Sequence, residues 1–196
     1  MEEKPVCTEC SKPIELGDEH FIVKASKKGE ADTFLCAQCL AKAKTALEEE
    51  THNPNIPLAF VVGLGAAVVA GLVWYFFVTL TGWQIGIISI LMGWVVGQGV
   101  VWGAGHKRGI PLQWVSVLLT LVAIFLSEYL IFNHFFHEAG LVGNLPIDKF
   151  FEVYGAYFSE GAGFLDILLF GIALWQAYVT PGRRKLKGTV VYRAGS

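Results

Sequence analysis

The chain has 196 residues, 54% of them hydrophobic, and a mean hydropathy of +0.50, more apolar surface than a soluble core of this size requires. Residues 1–56 hold 18 of the 32 Asp, Glu, Lys and Arg and all four cysteines, so the composition changes sharply near residue 56. Within that first stretch seven lysines face eleven acids with no arginine, a net charge of −4, and this excludes the counterion-displacing basic surface that nucleic-acid binding needs.

Taken in order, residues 1–48 read as a small metal module. Cys7 and Cys10 (CTEC) and Cys36 and Cys39 (CAQC) are spaced C-x2-C-x25-C-x2-C. Each pair offers two sulfurs to one ion, and two pairs complete a tetrahedral site suited to Zn2+. Iron of the rubredoxin type, with redox use of the thiolates, is the rival for four sulfurs, but a helix after the last pair fits it poorly. Residues 20–25 (HFIVKA) and 33–35 (TFL) read as strands around a KKGE turn at Gly29, and LAKAKTALEEE after Cys39 reads as a helix. His20 reads as a hairpin histidine, since four cysteines already fill the shell. Without metal, about 50 residues would have too little core to fold. Knuckle, hairpin, knuckle and helix, with the Gly17–Asp18 turn, resemble a treble-clef zinc ribbon of the kind found in B-box-like and LIM-like modules. That resemblance implies a structural or protein-binding role.

Residues 49–56 form a polar, proline-punctuated linker. Four apolar segments follow, at 57–80, 83–104, 110–132 and 163–180. A spanning helix needs about 20 mostly apolar residues, because lipid offers no partner to a backbone amide. The first two contain no charge, the third only Glu128, and the fourth Asp166 near its start. A soluble helical protein would need polar faces that the first two lack. The first apolar stretch follows more than fifty hydrophilic residues, so it reads as a retained anchor rather than a cleaved signal. In the second segment Ser89, Gly93 and Gly97 lie four apart, as do Gly99 and Gly103, and Gly63, Ala67 and Gly71 do likewise in the first. Such small faces let helix backbones approach closely. They predict a tight hairpin of the first two helices, and they leave association of copies through glycine-rich faces open. Gln98 and Gln113 read as interhelical polar contacts.

The connections alternate in charge. Thr81–Gly82 is a minimal uncharged turn, 105–109 holds His106, Lys107 and Arg108, and residues 133–162 set Lys149 against Glu138, Asp148, Glu152 and Glu160. The tail 181–196 carries Arg183, Arg184, Lys185, Lys187 and Arg193 with no acid. Lys and Arg concentrate on the cytoplasmic side, which predicts four crossings of the cell (inner) membrane with both termini in the cytoplasm and residues 133–162 outside. A reducing compartment keeps the four thiolates for metal. On the outward side Glu128, His134, His137, Glu138 and Asp166 are candidates for a polar site, because an ionisable group in a span is a functional candidate by default. If the third helix continues, His134, His137 and Glu138 share one face at i, i+3 and i+4, though HxxHE lacks the further ligands of a metal-enzyme motif. Solvated interfacial histidines are the plainer reading. Residues 147–158 (IDKFFEVYGAYF) follow Pro146 and read as an amphipathic stretch on the outer surface. No Ser-His-Asp order, phosphate loop or nucleotide fingerprint is present.

The segments GWVVGQGVVWGAGHKRGIPLQWVSVLLTLVAI and LDILLFGIALWQAYVTPGRRKLKGT resemble a group of uncharacterised bacterial multipass membrane proteins that begin with a B-box-like or other zinc ribbon. The shared pattern falls on Gly93, Gly97, Lys107, Arg108, Gln113, Leu119 and Thr120. It implies architecture and carries no activity. The sequence therefore predicts a mainly α chain, a four-helix transmembrane bundle with a small N-terminal treble-clef zinc ribbon. The function expected is a non-enzymatic adaptor, assembly factor or accessory subunit that docks another protein through the ribbon. The alternative is a membrane enzyme or transporter using the outward polar residues.

Overall fold

The computed structural model describes residues 6–14, 19–23, 33–82, 87–156, 159, 164–184 and 189–192. It falls into two units, Met1–His52 with Arg184–Ser196, and Asn53–Arg183. The chain is mainly helical, with six helices among the described residues.

In the first unit β1 (Glu19–Val23) pairs antiparallel with β2 (Thr33–Cys36), His20 opposite Cys36 and Val23 opposite Thr33. Helix α1 (Ala37–Glu49) starts directly at the end of β2 and packs on both strands. The expected hairpin and helix are thus present, while the KKGE and Gly17–Asp18 turns lie outside the described residues. One element was not foreseen. The basic tail contributes β3 (Thr189–Tyr192), antiparallel to β1 with Glu19 opposite Tyr192, so the sheet order is β2-β1-β3 and both ends of the chain share it. Arg184 adds an ion pair to Glu50 at 3.9 Å.

In the second unit α2 (Ile56–Thr81) and α4 (Ile110–Glu138) have 26 and 29 residues, about 39 and 43 Å of helix. Both are long and apolar enough to cross a membrane. Two shorter apolar helices, α3 (Ile87–Gly103) and α6 (Phe164–Val179), pack with them, and α3 and α4 each touch the other three. Residues 83–86, the expected start of the second apolar segment, lie outside the described residues.

Local chemistry sets the helix ends. Asn55 caps α2, its Oδ1 accepting from the Leu58 N–H at 3.1 Å, with Pro57 in the first turn where a missing N–H costs nothing. Gly82, at φ 67°, closes α2 in the left-handed conformation. After α3, the Gly105 N–H donates to Trp102 O at 3.0 Å and the His106 N–H to Val101 O at 2.9 Å, with Gly105 at φ 70°. This is the Schellman pattern. The same pattern closes α4, which runs to Glu138, six residues past the end of the apolar segment at Phe132, with bonds from Gly140 to His137 and from Leu141 to Phe136.

Small residues set the helix packing. The buried face of α2 is Ala59, Gly63, Ala67, Ala70, Gly71, Trp74 and Val78. A Cβ on Gly103 would lie 2.6 Å from Leu58 O, and one on Gly99 2.6 Å from Ala66 Cβ. α2 and α3 are therefore antiparallel and nearly in backbone contact, as the glycine spacing predicts. The second stripe serves a different neighbour: Gly93 faces Ala173 and Gly97 faces Thr180, both beside α6. With Gly63 beside Leu119 and Gly71 beside Ala123, α2 and α4 run parallel, and the four helices alternate in direction along the chain.

The last carbonyls of α6 and its turn are each satisfied at one end of this unit. Gln113 Nε2 donates to Tyr178 O at 3.0 Å, the Gly182 N–H to Val179 O at 3.0 Å, Arg108 Nη1 to Thr180 O at 2.6 Å and the Gly109 N–H to Pro181 O at 3.0 Å. Helix ends orphan four carbonyls. Here the basic turn and the start of α4 supply the donors. Gln113 is thus the interhelical contact the sequence suggested.

Candidate metal centre

The first cysteine pair sits on a tight turn between Val6 and Pro13, which form an isolated antiparallel bridge. The Cys7 N–H donates to Lys12 O at 2.9 Å and the Ser11 N–H to Cys7 O at 2.8 Å. Ser11 takes φ 57°, a left-handed conformation that costs a non-glycine residue roughly 1 kcal/mol and is retained because it turns the chain back after Cys10. The Thr8 N–H reaches Phe34 O on β2 at 2.9 Å, which draws this turn against the second pair. Cys36 ends β2 and is the N-cap of α1, and Cys39 follows in the first turn of that helix.

The four Sγ atoms all lie within 4.8 Å of one another. Cys10 and Cys36 are 3.8 Å apart, too far for the roughly 2.05 Å of a disulfide, and all four cysteines are free. A tetrahedral ion with Zn–S bonds of about 2.3 Å sets its sulfurs about 3.8 Å apart. The quartet could hold a metal ion, and the Cys10–Cys36 spacing is compatible with zinc. Among the described residues it is the one group of three or more His, Cys, Asp or Glu with ligand atoms close enough to share an ion.

The electrostatics of Cys7 and Cys39 agree with that geometry. Burial opposes ionisation of Cys7, which is 1% exposed, but backbone N–H groups of Cys36, Cys10 and Glu9 point at its sulfur and hold the thiol down at about 6. Cys39 is pushed up to about 12, chiefly by its hydrogen bonds with Cys36 and Cys10 and then by burial. Four negative charges within 5 Å repel, so the first thiolate forms readily and the last needs a cation beside it. Among the described residues Cys7, Leu35 and Leu40 are buried together, with Cys36 and Cys39 packed against them. A bound ion would add folding free energy to this unit, because its ligands come together only in the folded chain.

The outward candidates are arranged differently. Because α4 continues to Glu138, His134, His137 and Glu138 do fall on one helix, as the conditional reading required. His134 Nε2 pairs with Glu138 Oε1 at 3.6 Å and its ring meets Tyr75 of α2 edge-on at 6.0 Å, while His137 is exposed. Glu128 is separate from that pair. It accepts a hydrogen bond from the side chain of Trp74 on α2, a buried partner that nothing in the spacing of the sequence indicated. Asp166 falls in the first turn of α6, and its side chain lies outside the described residues. It is 12 residues from Tyr178 and Glu128 is 15 from Gln113. With Gln113 bonded to Tyr178 O, the two positions come within about 5 Å of one level.

Beyond them, α5 (Ile147–Ala156) forms in the expected amphipathic stretch. Phe150 is its buried anchor, with its ring against Tyr129 at 5.5 Å and Phe132 at 5.9 Å. The preceding loop is tied to α4, the Leu145 N–H donating to Asn133 Oδ1 at 2.8 Å and Tyr129 Oη to Leu145 O at 3.0 Å. The element that sequence reasoning missed near the metal centre is β3, although TVVY after Gly188 has the β-branched and aromatic content of a short strand.

Comparison of the chain with family models, curated proteins and solved structures finds no match.

Proposed function

We propose that this chain is a multipass inner-membrane protein, with α2, α3, α4 and α6 crossing, whose treble-clef zinc ribbon serves as a cytoplasmic docking module for another protein. It acts as an adaptor, assembly factor or accessory subunit, with no chemistry of its own. One observation carries the reading: a four-thiolate cluster compatible with zinc joined to helices long and apolar enough to cross a membrane. The topology has two supports. Basic residues cluster in the 105–109 turn and the C-terminal tail. The pairing of β1 with β3 also favours both ends in one compartment and, with it, an even number of crossings. The resemblance to bacterial membrane proteins with N-terminal zinc ribbons is in keeping with this. If zinc binds, Cys7, Cys10, Cys36 and Cys39 hold it, and its chemistry there is structural: it neutralises four thiolates and fixes the two turns.

The test compares the full chain with the double variant Cys36→Ser, Cys39→Ser, both purified from membranes. One zinc per chain and a co-purifying protein in the parent, both lost in the variant, are expected. Zinc lost with an unchanged set of co-purifying proteins would refute the docking role.

A second reading, a membrane enzyme or transporter, rests on the Glu128 carboxylate accepting from Trp74 between two apolar helices and on the His134–Glu138 pair. Metal retained by a chain with all four cysteines replaced would favour it. Metal lost completely would favour the first.

A further inference from the structure

Helix α5 is seated on one stripe of α4. Leu118, Val122, Phe125, Tyr129 and Phe132 recur at i, i+4, i+7, i+11 and i+14, the spacing of a single helix face. The last three carry α5: the Phe150 ring lies 5.5 Å from Tyr129 and 5.9 Å from Phe132, Tyr154 lies 5.8 Å from Phe125, and Phe151 lies 6.2 Å from Phe125. The first two, Leu118 and Val122, are exposed, and in the membrane reading lipid covers them.

The length of α4 sets the depth of that seat. Phe125 comes 15 residues after Ile110 and 13 before Glu138, about 22 Å from the start of the helix and about 20 Å from its end. A hydrocarbon layer of about 30 Å placed anywhere within α4 has its outer boundary at least about 30 Å from Ile110, so Phe125 lies about 7 Å or more inside it. Side chains on a helix lean toward its N-terminus, which takes that ring deeper. The Phe151 ring, 6.2 Å away, is then within the layer in every such placement.

The composition of α5 suits that position. At 100° per residue, Ile147, Phe150, Phe151 and Tyr154 fall within about 100° of one another, and Asp148, Lys149 and Glu152 occupy the opposite side. Phe150 is buried against α4, whereas Ile147 and Phe151, one turn apart, are 66% and 56% exposed. The polar side, where Lys149 Nζ donates to Glu152 Oε2 at 2.7 Å, is left for headgroups and water.

We infer that α5 is a half-inserted anchor whose Ile147 and Phe151 enter the outer leaflet and bind its acyl chains. The inference rests on the membrane reading above and adds the depth and the lipid contact of this helix. The occupant is lipid because the open flank of α5 runs on through Phe125 into Leu118 and Val122, the lipid-facing part of the same stripe. An interfacial helix buries its apolar face about 5–10 Å into the boundary, the depth that the seat on Phe125 gives.

An added indole reads that depth. The full chain is reconstituted into phosphatidylcholine vesicles, and the emission that Phe151→Trp adds to that of the six native tryptophans is followed under two quenchers. One is phosphatidylcholine brominated on its acyl chains, the other iodide present on both sides of the membrane. Loss of the added emission to the brominated lipid, and its survival in iodide, is expected. Asn144→Trp, in the exposed loop before α5, is the water-side reference and loses its added emission to iodide. Ile147→Trp repeats the measurement one turn away, so that a substitution disturbing the contact with Phe125 does not decide the outcome. Added emission lost to iodide at both positions overturns the inference. Emission shielded from both quenchers also overturns it, since a protein surface would then cover the helix. A parent chain whose native tryptophans escape the brominated lipid overturns the membrane reading instead.

Discussion

Substituting single glycines in the helices by alanine ranks the helix contacts by how little room each leaves. At Gly103 the new Cβ would lie 2.6 Å from Leu58 O and 2.7 Å from Ala59 Cα. Both are backbone atoms of α2, so no rotamer can relieve the contact and the two helices must separate by about 0.7 Å to restore ordinary van der Waals distance. Overpacking of this kind costs roughly 1–3 kcal/mol, and near the upper end when the obstruction is backbone. Alanine returns up to about 1 kcal/mol of helix propensity, which leaves Gly103→Ala less stable by about 1–2 kcal/mol. At Gly65 and Gly171 the added Cβ meets nothing within 4 Å, so only the propensity gain remains and both alanine variants are neutral to about 1 kcal/mol more stable. Gly71→Ala falls between, since Ala123 O lies at 3.0 Å and a few tenths of an ångström of adjustment suffice. Gly63→Ala is milder than its distances of 2.6 and 2.7 Å suggest, because the obstructing atoms are the ends of Val100 and Leu119.

The assay is reversible unfolding of the purified chain in mixed micelles, followed by helical circular dichroism. A Gly103→Ala variant within about 0.5 kcal/mol of Gly65→Ala would refute the reasoning. If the stripe served association of copies instead, Gly103→Ala would change the mass of the particle and leave the unfolding of a single chain alone.

Three further outcomes follow from the geometry. Zinc affinity falls as acid is added, since protons compete for the sulfurs, and the fall steepens by about one proton below the value of about 6 at which Cys7 regains its own; a potentiometric titration that steepens near pH 8–9 instead would mean that the backbone N–H groups do not hold that thiolate. Removing residues 189–196 deletes β3 from β1 and, at roughly 1 kcal/mol net per lost hydrogen bond, speeds zinc release to a chromophoric chelator by about tenfold or more; unchanged release would show that the strand does not support the metal module. Gln113→Leu leaves Tyr178 O without its donor and lowers unfolding stability by about 0.6 kcal/mol, the average for polar contacts between membrane helices, and by no more than about 1.7 kcal/mol; a variant as stable as the parent would mean that water reaches that carbonyl.

Much of this arrangement is legible in the residues, and the exceptions have physical reasons. The C-x2-C pairs indicate a metal site because thiolate chemistry leaves few other uses for that spacing. The geometry adds Thr8, whose N–H to Phe34 O links the two turns, and a backbone contact of that kind leaves no mark in the sequence. Small residues four apart predict close helix approach, but a stripe does not name its neighbour. Gly99 and Gly103 meet α2 as expected, whereas Gly93 and Gly97 meet α6, more than 70 positions away. The apolar segment closes at Phe132 while α4 runs on through NHFFHE to Glu138, because a helix leaving an apolar layer changes composition before it changes conformation. Trp74 as the donor to Glu128 could not be anticipated, since an indole within an apolar run reads as core. The tail's charge is its plainest signal in the sequence, and although TVVY has strand composition, so short an element forms only on the edge that β1 offers it.

That strand bears on topology more than its size suggests. Charge bias sets orientation through the energetics of insertion and is averaged over many side chains. Strand pairing is a contact, and it holds only if both segments occupy the same aqueous compartment. The alternation of α2, α3, α4 and α6, read from glycine contacts inside the second unit, returns the chain to its starting side after four helices, which is the condition that β1 and β3 impose from the first unit. The two constraints come from different residues and different forces, and an odd number of crossings would violate both. A single fusion reporter at residue 196 therefore bears on the whole proposed arrangement: a periplasmic signal from a chain that still retains zinc would mean that β3 cannot pair with β1 and that one of the two short helices does not cross.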